Sequence, residues 1–251
     1  MQIRHKKSLG QNFLKDRLIL ERIVDSSEIN PTDDVYEIGP GDGALTEFLF
    51  RKVNSITAYE IDRSLVPILN KRFQEKHLEI VNIDVLNANL EEISNNNSVI
   101  VGNLPYNVSS QIILKILESK ITFKHCIFMV QKEMANRFIL NHAKASKLSL
   151  LAKLRADIEE LFEIPPEAFN PTPKVTSSLI KITPHQIYSQ DFDTFKFILT
   201  VAFANPRKKI SYPLKALFKT IPKFSFSLDL RPEDLALDDY FEILEEHEKQ
   251  I

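Results

Sequence analysis

Apolar positions over the first two thirds of the chain switch repeatedly between two rhythms. Short apolar runs that predict strands give way to stretches of helical period, and the succession recurs. Val35-Tyr36-Glu37-Ile38 predicts a strand that stops at glycines. From Ala44 to Val53, Leu45, Phe48, Leu49 and Val53 then share one helical face. A strand over Ile56 to Ile61, a helix over Leu65 to Lys76 and a third strand over Leu78 to Ile83 follow. Ser98 to Gly102 predicts a fourth strand, after which Ser109 or Ser110 caps a helix burying Ile112, Ile113, Ile116 and Leu117. Cys126 to Val130 reads as the fifth strand, with a helix from about Lys132 to Leu140. Leu148 to Ile164 and Val175 to Ile182 read as two further strands around the proline-rich Phe169-Asn170-Pro171-Thr172-Pro173, and their succession predicts a final antiparallel hairpin.

Beyond Pro184 the pattern turns helical. Phe195, Leu199 and Phe203 recur at helical spacing within Phe192 to Ala204, and Asp229-Leu230-Arg231-Pro232-Glu233 resembles the start of a last helix. The expectation is an α/β domain over residues 1–184, with a mostly parallel sheet and an antiparallel last strand. A small helical domain is expected over residues 185–251.

Length and composition add little to that picture, since 251 residues allow one large domain or one domain with an appendage. The opening Met1-Gln2-Ile3-Arg4-His5-Lys6-Lys7 has no apolar run behind it, so no signal peptide is expected, and no stretch approaches the roughly 20 apolar residues of a membrane span. Cys126, the single cysteine, cannot form an internal disulfide and reads as core. These features predict a cytoplasmic protein, and the lack of a legible apolar seam predicts a monomer. Charge changes the picture more. The net charge of −2 conceals segregation: Arg4 to Arg22 holds six Lys/Arg against two acids, Asn205 to Lys223 six and no acid. Asp229 to the end holds nine acids and two bases. A polyanion responds to local potential, so Arg4, Lys6 and Lys7, and Arg207, Lys208 and Lys209, are candidate RNA contacts; solvated surface is the alternative.

Candidate chemistry gathers at the ends of the predicted strands, where ligands of parallel sheets bind. Gly39 and Gly41 in Glu37-Ile38-Gly39-Pro40-Gly41-Asp42-Gly43 permit a tight turn and close approach of a ligand. Glu60 ends the second strand, where a carboxylate can accept from two ribose hydroxyls. Gly39, Gly41 and Ala44 also fit a dinucleotide-binding pattern, and a purely structural turn is a third reading. Asp84 at the third strand end, suited to accept from an adenine amine, and Asn103-Leu104-Pro105-Tyr106 after the fourth strand argue against a nicotinamide cofactor. The Asn-Leu-Pro-Tyr segment suits methylation of an aromatic amine. The Asn103 side-chain oxygen and the Leu104 carbonyl can accept from the two N–H groups of an adenine amine, freeing a lone pair otherwise delocalised into the ring. Pro105 biases Leu104 to an extended conformation. Tyr106 offers a ring on which a splayed base can stack, worth roughly 1–3 kcal/mol. No metal is called for.

With these residues, the chain resembles the ribosomal RNA adenine dimethyltransferases, most closely those acting on the small subunit. The resemblance rests on Lys7-Ser8-Leu9-Gly10-Gln11-Asn12-Phe13-Leu14, the Glu37 to Gly43 loop, Glu60-Ile61-Asp62, Asn103 to Tyr106, Gln131-Lys132-Glu133, and Pro173-Lys174-Val175 with Ser177. It implies a Rossmann-like class I methyltransferase sheet, a helical domain that helps grip RNA, and S-adenosylmethionine as cofactor. It further implies that Asn12 and Leu14 contact that cofactor beside Gly39, Gly41, Glu60, Asp84 and Asn103; spacing alone would make them a helix cap and a core residue. The implied substrate is a pair of adjacent adenosines in the 3′-terminal hairpin loop of small-subunit (16S) rRNA, each dimethylated late in subunit assembly. Relatives that methylate large-subunit RNA, and an assembly factor in which binding outweighs catalysis, are the alternative readings. The sequence departs from the family at Asn170, where a second aromatic is usual, leaving Phe169 or Tyr106 to hold the base. Pro206 and Pro213 interrupt the basic C-terminal run.

Overall fold

In the computed structural model, residues 12–119, 121–139, 144–185 and 191–250 are described. They fall into two compact units. One contains Asp157–Pro184 and the described residues up to Ala135, and the other contains Asn136–Ala156 and His185–Ile251 in their described parts. The segment 136–156 therefore packs with the later helices, whereas the sequence reading drew a single boundary at Pro184.

In chain order the first unit contains β1 (Phe13–Leu14), α1 (Arg17–Ser26), β2 (Asp34–Ile38), α2 (Ala44–Leu49), β3 (Ser55–Tyr59), α3 (Val66–Arg72) and β4 (His77–Val81). It continues with β5 (Ser98–Asn103), α4 (Ser109–Glu118) and β6 (His125–Gln131), from which α5 (Lys132–Phe138) leads to α6 (Lys147–Lys153) of the second unit. β7 (Ala156–Ile164), β8 (Phe169–Asn170) and β9 (Ser177–Pro184) complete it. Seven strands form one sheet in the order β4-β3-β2-β5-β6-β9-β7. β4, β3, β2, β5 and β6 pair in parallel, and β9 runs antiparallel to β6. The chain winds outward from β2 to β4, then returns to β5 on the other side. That reversal opens a crevice beyond the carboxyl ends of β2 and β5.

Burial follows the predicted faces. Leu45, Phe48, Leu49 and Val53 all enter the core, as do Ile112, Ile113, Ile116 and Leu117 of α4. Central β5 and β6 carry continuous apolar runs, Val99 to Val101 and Cys126 to Val130, because helices cover both faces of a parallel sheet. Cys126 is fully buried on β6, and burial pushes its thiol pKa up.

Four readings are corrected. Leu148 to Lys153 is helical, not strand: Ser146 caps α6 in a reciprocal capping box with Ser149, and Leu148, Leu150, Leu151 and Ala152 are all buried. An apolar run buried on every side carries no period by which to identify it. α4 starts at Ser109 behind Val108, with no side-chain cap. Val108 N–H and Ser109 N–H instead donate to the Pro105 carbonyl. Asp16, rather than Asn12, caps α1, accepting from Leu18 and Ile19. Pro232–Asp234 forms only a 3-10 turn, and the last helix begins at Leu237.

In the second unit α7 (Phe192–Ala202) packs against α6, α8 (Ser211–Leu217) and α9 (Leu237–Glu248). Phe195 and Tyr240 are fully buried, and the Tyr240 hydroxyl donates to the Pro232 carbonyl at 2.8 Å. Pro206 lies in the turn after α7. Pro213 sits in the first turn of α8, where its missing N–H leaves no intrahelical bond unmade. Among the described residues no helix is long and apolar enough to cross a membrane.

Candidate active site

The crevice forms an open cleft lined by residues from several loops and strand ends. Asn12, Leu14, Gly39, Gly41, Glu60, Asn103, Leu104 and Tyr106 all line it, with Phe13, Glu37, Asp42, Ile61 and Met129 among the others. Residues from five separate segments thus converge where the sheet reverses. Asp84 does not line the cavity. Its carboxylate accepts from Leu86 N–H at 2.9 Å and caps a 3-10 turn after β4.

The glycine turn is shaped by its surroundings. Gly41 has φ +60°, and a Cβ there would fall 2.7 Å from Cε1 of Phe13, whose ring closes over the loop. Around Gly39, also at positive φ, nothing lies within 4 Å of an added Cβ, so the backbone is open to a ligand. Gly102 does a different job. A Cβ on it would sit 2.6 Å from the Ile38 carbonyl oxygen, so the ends of β2 and β5 approach as closely as they do only because the side chain is absent.

Three acidic side chains face or flank this opening. Glu60 is 3% exposed, and its two oxygens accept from Gly41 N–H at 3.1 Å and Asp62 N–H at 2.7 Å. Burial raises its pKa despite those bonds. Asp42 pairs with Lys15 and accepts from Ala44 N–H at 3.2 Å. Glu37, fully buried on β2, accepts from the Thr46 hydroxyl at 2.6 Å. Desolvation first, and the nearby Glu60 and Asp42 charges, push its pKa up to about 8. The unfolded value is near 4.5, so folding is favoured most below that pH, and the advantage is lost as pH rises to about 8. Glu37→Gln, which keeps an acceptor for Thr46, is therefore expected to melt higher than wild type at pH 8 and to flatten the decline between pH 4.5 and 8. Parallel melting curves across that window would show that Glu37 ionises as it does in water.

The segment before α1 acts as a strap across the cavity. β1 pairs antiparallel with β8, matching Phe13 to Asn170 and Leu14 to Phe169. The amides of Lys15 and Asp16 donate to the Ala168 carbonyl. The Asn103 Nδ2 donates to the Asn12 carbonyl at 2.8 Å, which fixes the amide with Oδ1 as the remaining acceptor. Leu104 N–H donates to the Met129 carbonyl at 3.1 Å, anchoring the Asn-Leu-Pro-Tyr turn to β6. Tyr106 is half-buried, and its hydroxyl lies 2.7 Å from Ser177 Oγ. Burial raises the pKa of that phenol, against the effect of the Ser177 bond. Phe169 is 3% exposed and packed into the core, so it is not available to a base; Asn170 beside it is exposed.

The profile of the family described as "Ribosomal RNA adenine dimethylase" matches residues 2–243, nearly the whole chain. The chain belongs to this family. Its relatives include "Ribosomal RNA small subunit methyltransferase A" of Pelagibacter ubique, 35% identical over 99% of this chain and 98% of that protein. The protein of the same name from Mycoplasmopsis pulmonis is 37% identical over 95% of this chain and 97% of its own. Among solved structures, a dimethyladenosine transferase from Plasmodium falciparum superposes with a TM-score of 0.80 at 26% identity, covering 95% and 98% of the two chains. In this dimethylase, Arg207, Lys208 and Lys209 are exposed after α7, with Lys209 paired to Asp229 at 2.8 Å. Arg4, Lys6 and Lys7 lie outside the described residues. Among the described residues no three His, Cys, Asp or Glu gather as metal ligands would.

Sequence reasoning overlooked Phe13, Glu37 and Asp42. An acid closing a strand just before a glycine turn was the available signal for Glu37. Nothing local marked Phe13.

Proposed function

We propose that this dimethylase transfers methyl groups to the exocyclic amines of two adjacent adenosines in the 3′-terminal hairpin loop of small-subunit rRNA, late in subunit assembly. It does so in the cytoplasm as a monomer. The observation that carries the reading is the Asn103 amide, tied by its nitrogen to the Asn12 carbonyl so that Oδ1 remains to accept within the cavity. The small-subunit target follows the names of the relatives in Pelagibacter and Mycoplasmopsis.

S-adenosylmethionine supplies an electrophilic methyl on a cationic sulfur when bound, and the cavity fits it. The open backbone at Gly39 and the acidic lining suit a cationic nucleoside ligand. Gly39 and Gly41 would let it approach the loop, Glu60 would accept from its ribose, and Asn12, Leu14 and Asn103 would enclose it. Asp84 would take part through whatever acceptor capacity its cap to Leu86 leaves. The protein's own contribution is orientation. Asn103 Oδ1 and the Leu104 carbonyl accept the two amine protons and draw the nitrogen toward a pyramidal shape. Tyr106 stacks on the base, so that the amine is presented to both acceptors at once. Arg4, Lys6, Lys7 and Arg207 to Lys209 hold the RNA backbone.

Purified protein is expected to convert unmethylated small subunits, supplied with S-adenosylmethionine, to a form carrying N6,N6-dimethyladenosine. Mass spectrometry of both rRNAs side by side is the measurement. Modification confined to the large-subunit RNA would overturn the target.

A further inference from the structure

The reversed strand β9 brings a side chain to the site that no parallel strand could deliver in the same way. Because β9 runs antiparallel to β6, its first residue lies at the carboxyl edge of the sheet, opposite Gln131. That residue is Ser177, fully buried, with its hydroxyl 2.7 Å from the Tyr106 hydroxyl. The strand start is itself fastened, since Lys132 N–H donates to the Thr176 carbonyl at 3.0 Å. The base of Tyr106 is fastened too, because the Pro105 carbonyl accepts from Val108 and Ser109. The phenol ring is thus held at both ends, by its backbone in the turn and by its oxygen on β9.

We infer that Ser177 is a positioning residue that clamps the Tyr106 ring in the attitude a target adenine stacks on. The inference rests on the stacking role proposed for Tyr106. A ring free to swing about its side-chain bonds would still offer an apolar surface to RNA, but it would present the base to Asn103 in a spread of orientations. Transfer is more sensitive to such misplacement than binding is, because the acceptor nitrogen must lie in line with the methyl group. The clamp therefore acts on turnover more than on affinity. Phe169 cannot substitute, being packed in the core.

Five proteins test this: wild type, Ser177→Ala, Tyr106→Phe, the double variant, and Tyr106→Leu as a control lacking the ring. Each is assayed for kcat and KM on unmethylated small subunits, for S-adenosylhomocysteine affinity by calorimetry, and for thermal melting. Tyr106→Phe keeps the ring and removes only the oxygen, so it reports on the clamp even if Ser177→Ala folds poorly. Ser177→Ala and Tyr106→Phe are each expected to lose about tenfold in kcat, with KM and cofactor affinity within about twofold of wild type. The double variant should lose no more than either single one, as two ends of one bond require. Unchanged kcat in Tyr106→Phe, or additive losses in the double variant, would overturn the clamp. If Tyr106→Leu turned over like wild type, the stacking role itself would fail, a result distinct from failure of the clamp.

Discussion

Replacing Asn103 with alanine is expected to lower turnover by about 10²–10³-fold, the usual cost of removing one preorganised polar group from a reacting centre. Binding should survive. The side chain is only half-buried at the end of β5, so its loss leaves the sheet intact. The bond its amide makes to the Asn12 carbonyl contributes about 1 kcal/mol to stability. RNA affinity, which rests on backbone phosphates, has no reason to follow. Single-turnover rates on small subunits, set beside filter-binding constants and melting curves, give the comparison. A matched fall in RNA binding and melting temperature would reduce Asn103 to a structural tether for the strap.

The second large effect lies in the helical unit. Neutralising Arg207, Lys208 and Lys209 together is expected to weaken RNA binding roughly tenfold or more at low salt, and to flatten the salt dependence by about two units of slope. Three phosphate contacts would give slightly more, but Lys209 is shared with Asp229 and contributes less than a free charge. All three side chains are exposed, so the fold should not respond. Titration of RNA binding against salt from wild type and variant decides the matter; superimposable slopes would make the cluster plain surface.

Much of this was legible in the sequence, for identifiable reasons. Central strands buried on both faces and helices with one apolar stripe announce themselves through period, so the elements from Val35 to Val130 fall within a few residues of expectation. The glycine turn, Glu60 and Asn103 to Tyr106 follow, since strand ends in such a sheet meet at one edge. The illegible parts depend on distant pairing. β1 is two residues long and exists because β8 supplies its partners, so Phe13 over Gly41 has no local cue. Phe169 looks available in sequence and is taken by the core. Asp84 follows β4 as position predicts, and its carboxylate also caps the turn that comes next, which depends on the local backbone path.

The bare α-carbon at residue 102 carries a consequence for how such an enzyme can change. With β2 and β5 in direct contact there, the gap between the glycine turn after β2 and the Asn-Leu-Pro-Tyr turn after β5 is a dimension of the sheet, not of the loops. Loop substitutions can retune how tightly either substrate is gripped without altering the reach of the transfer. Any side chain at 102, even a methyl, would pry the two turns apart and be felt by both substrates at once.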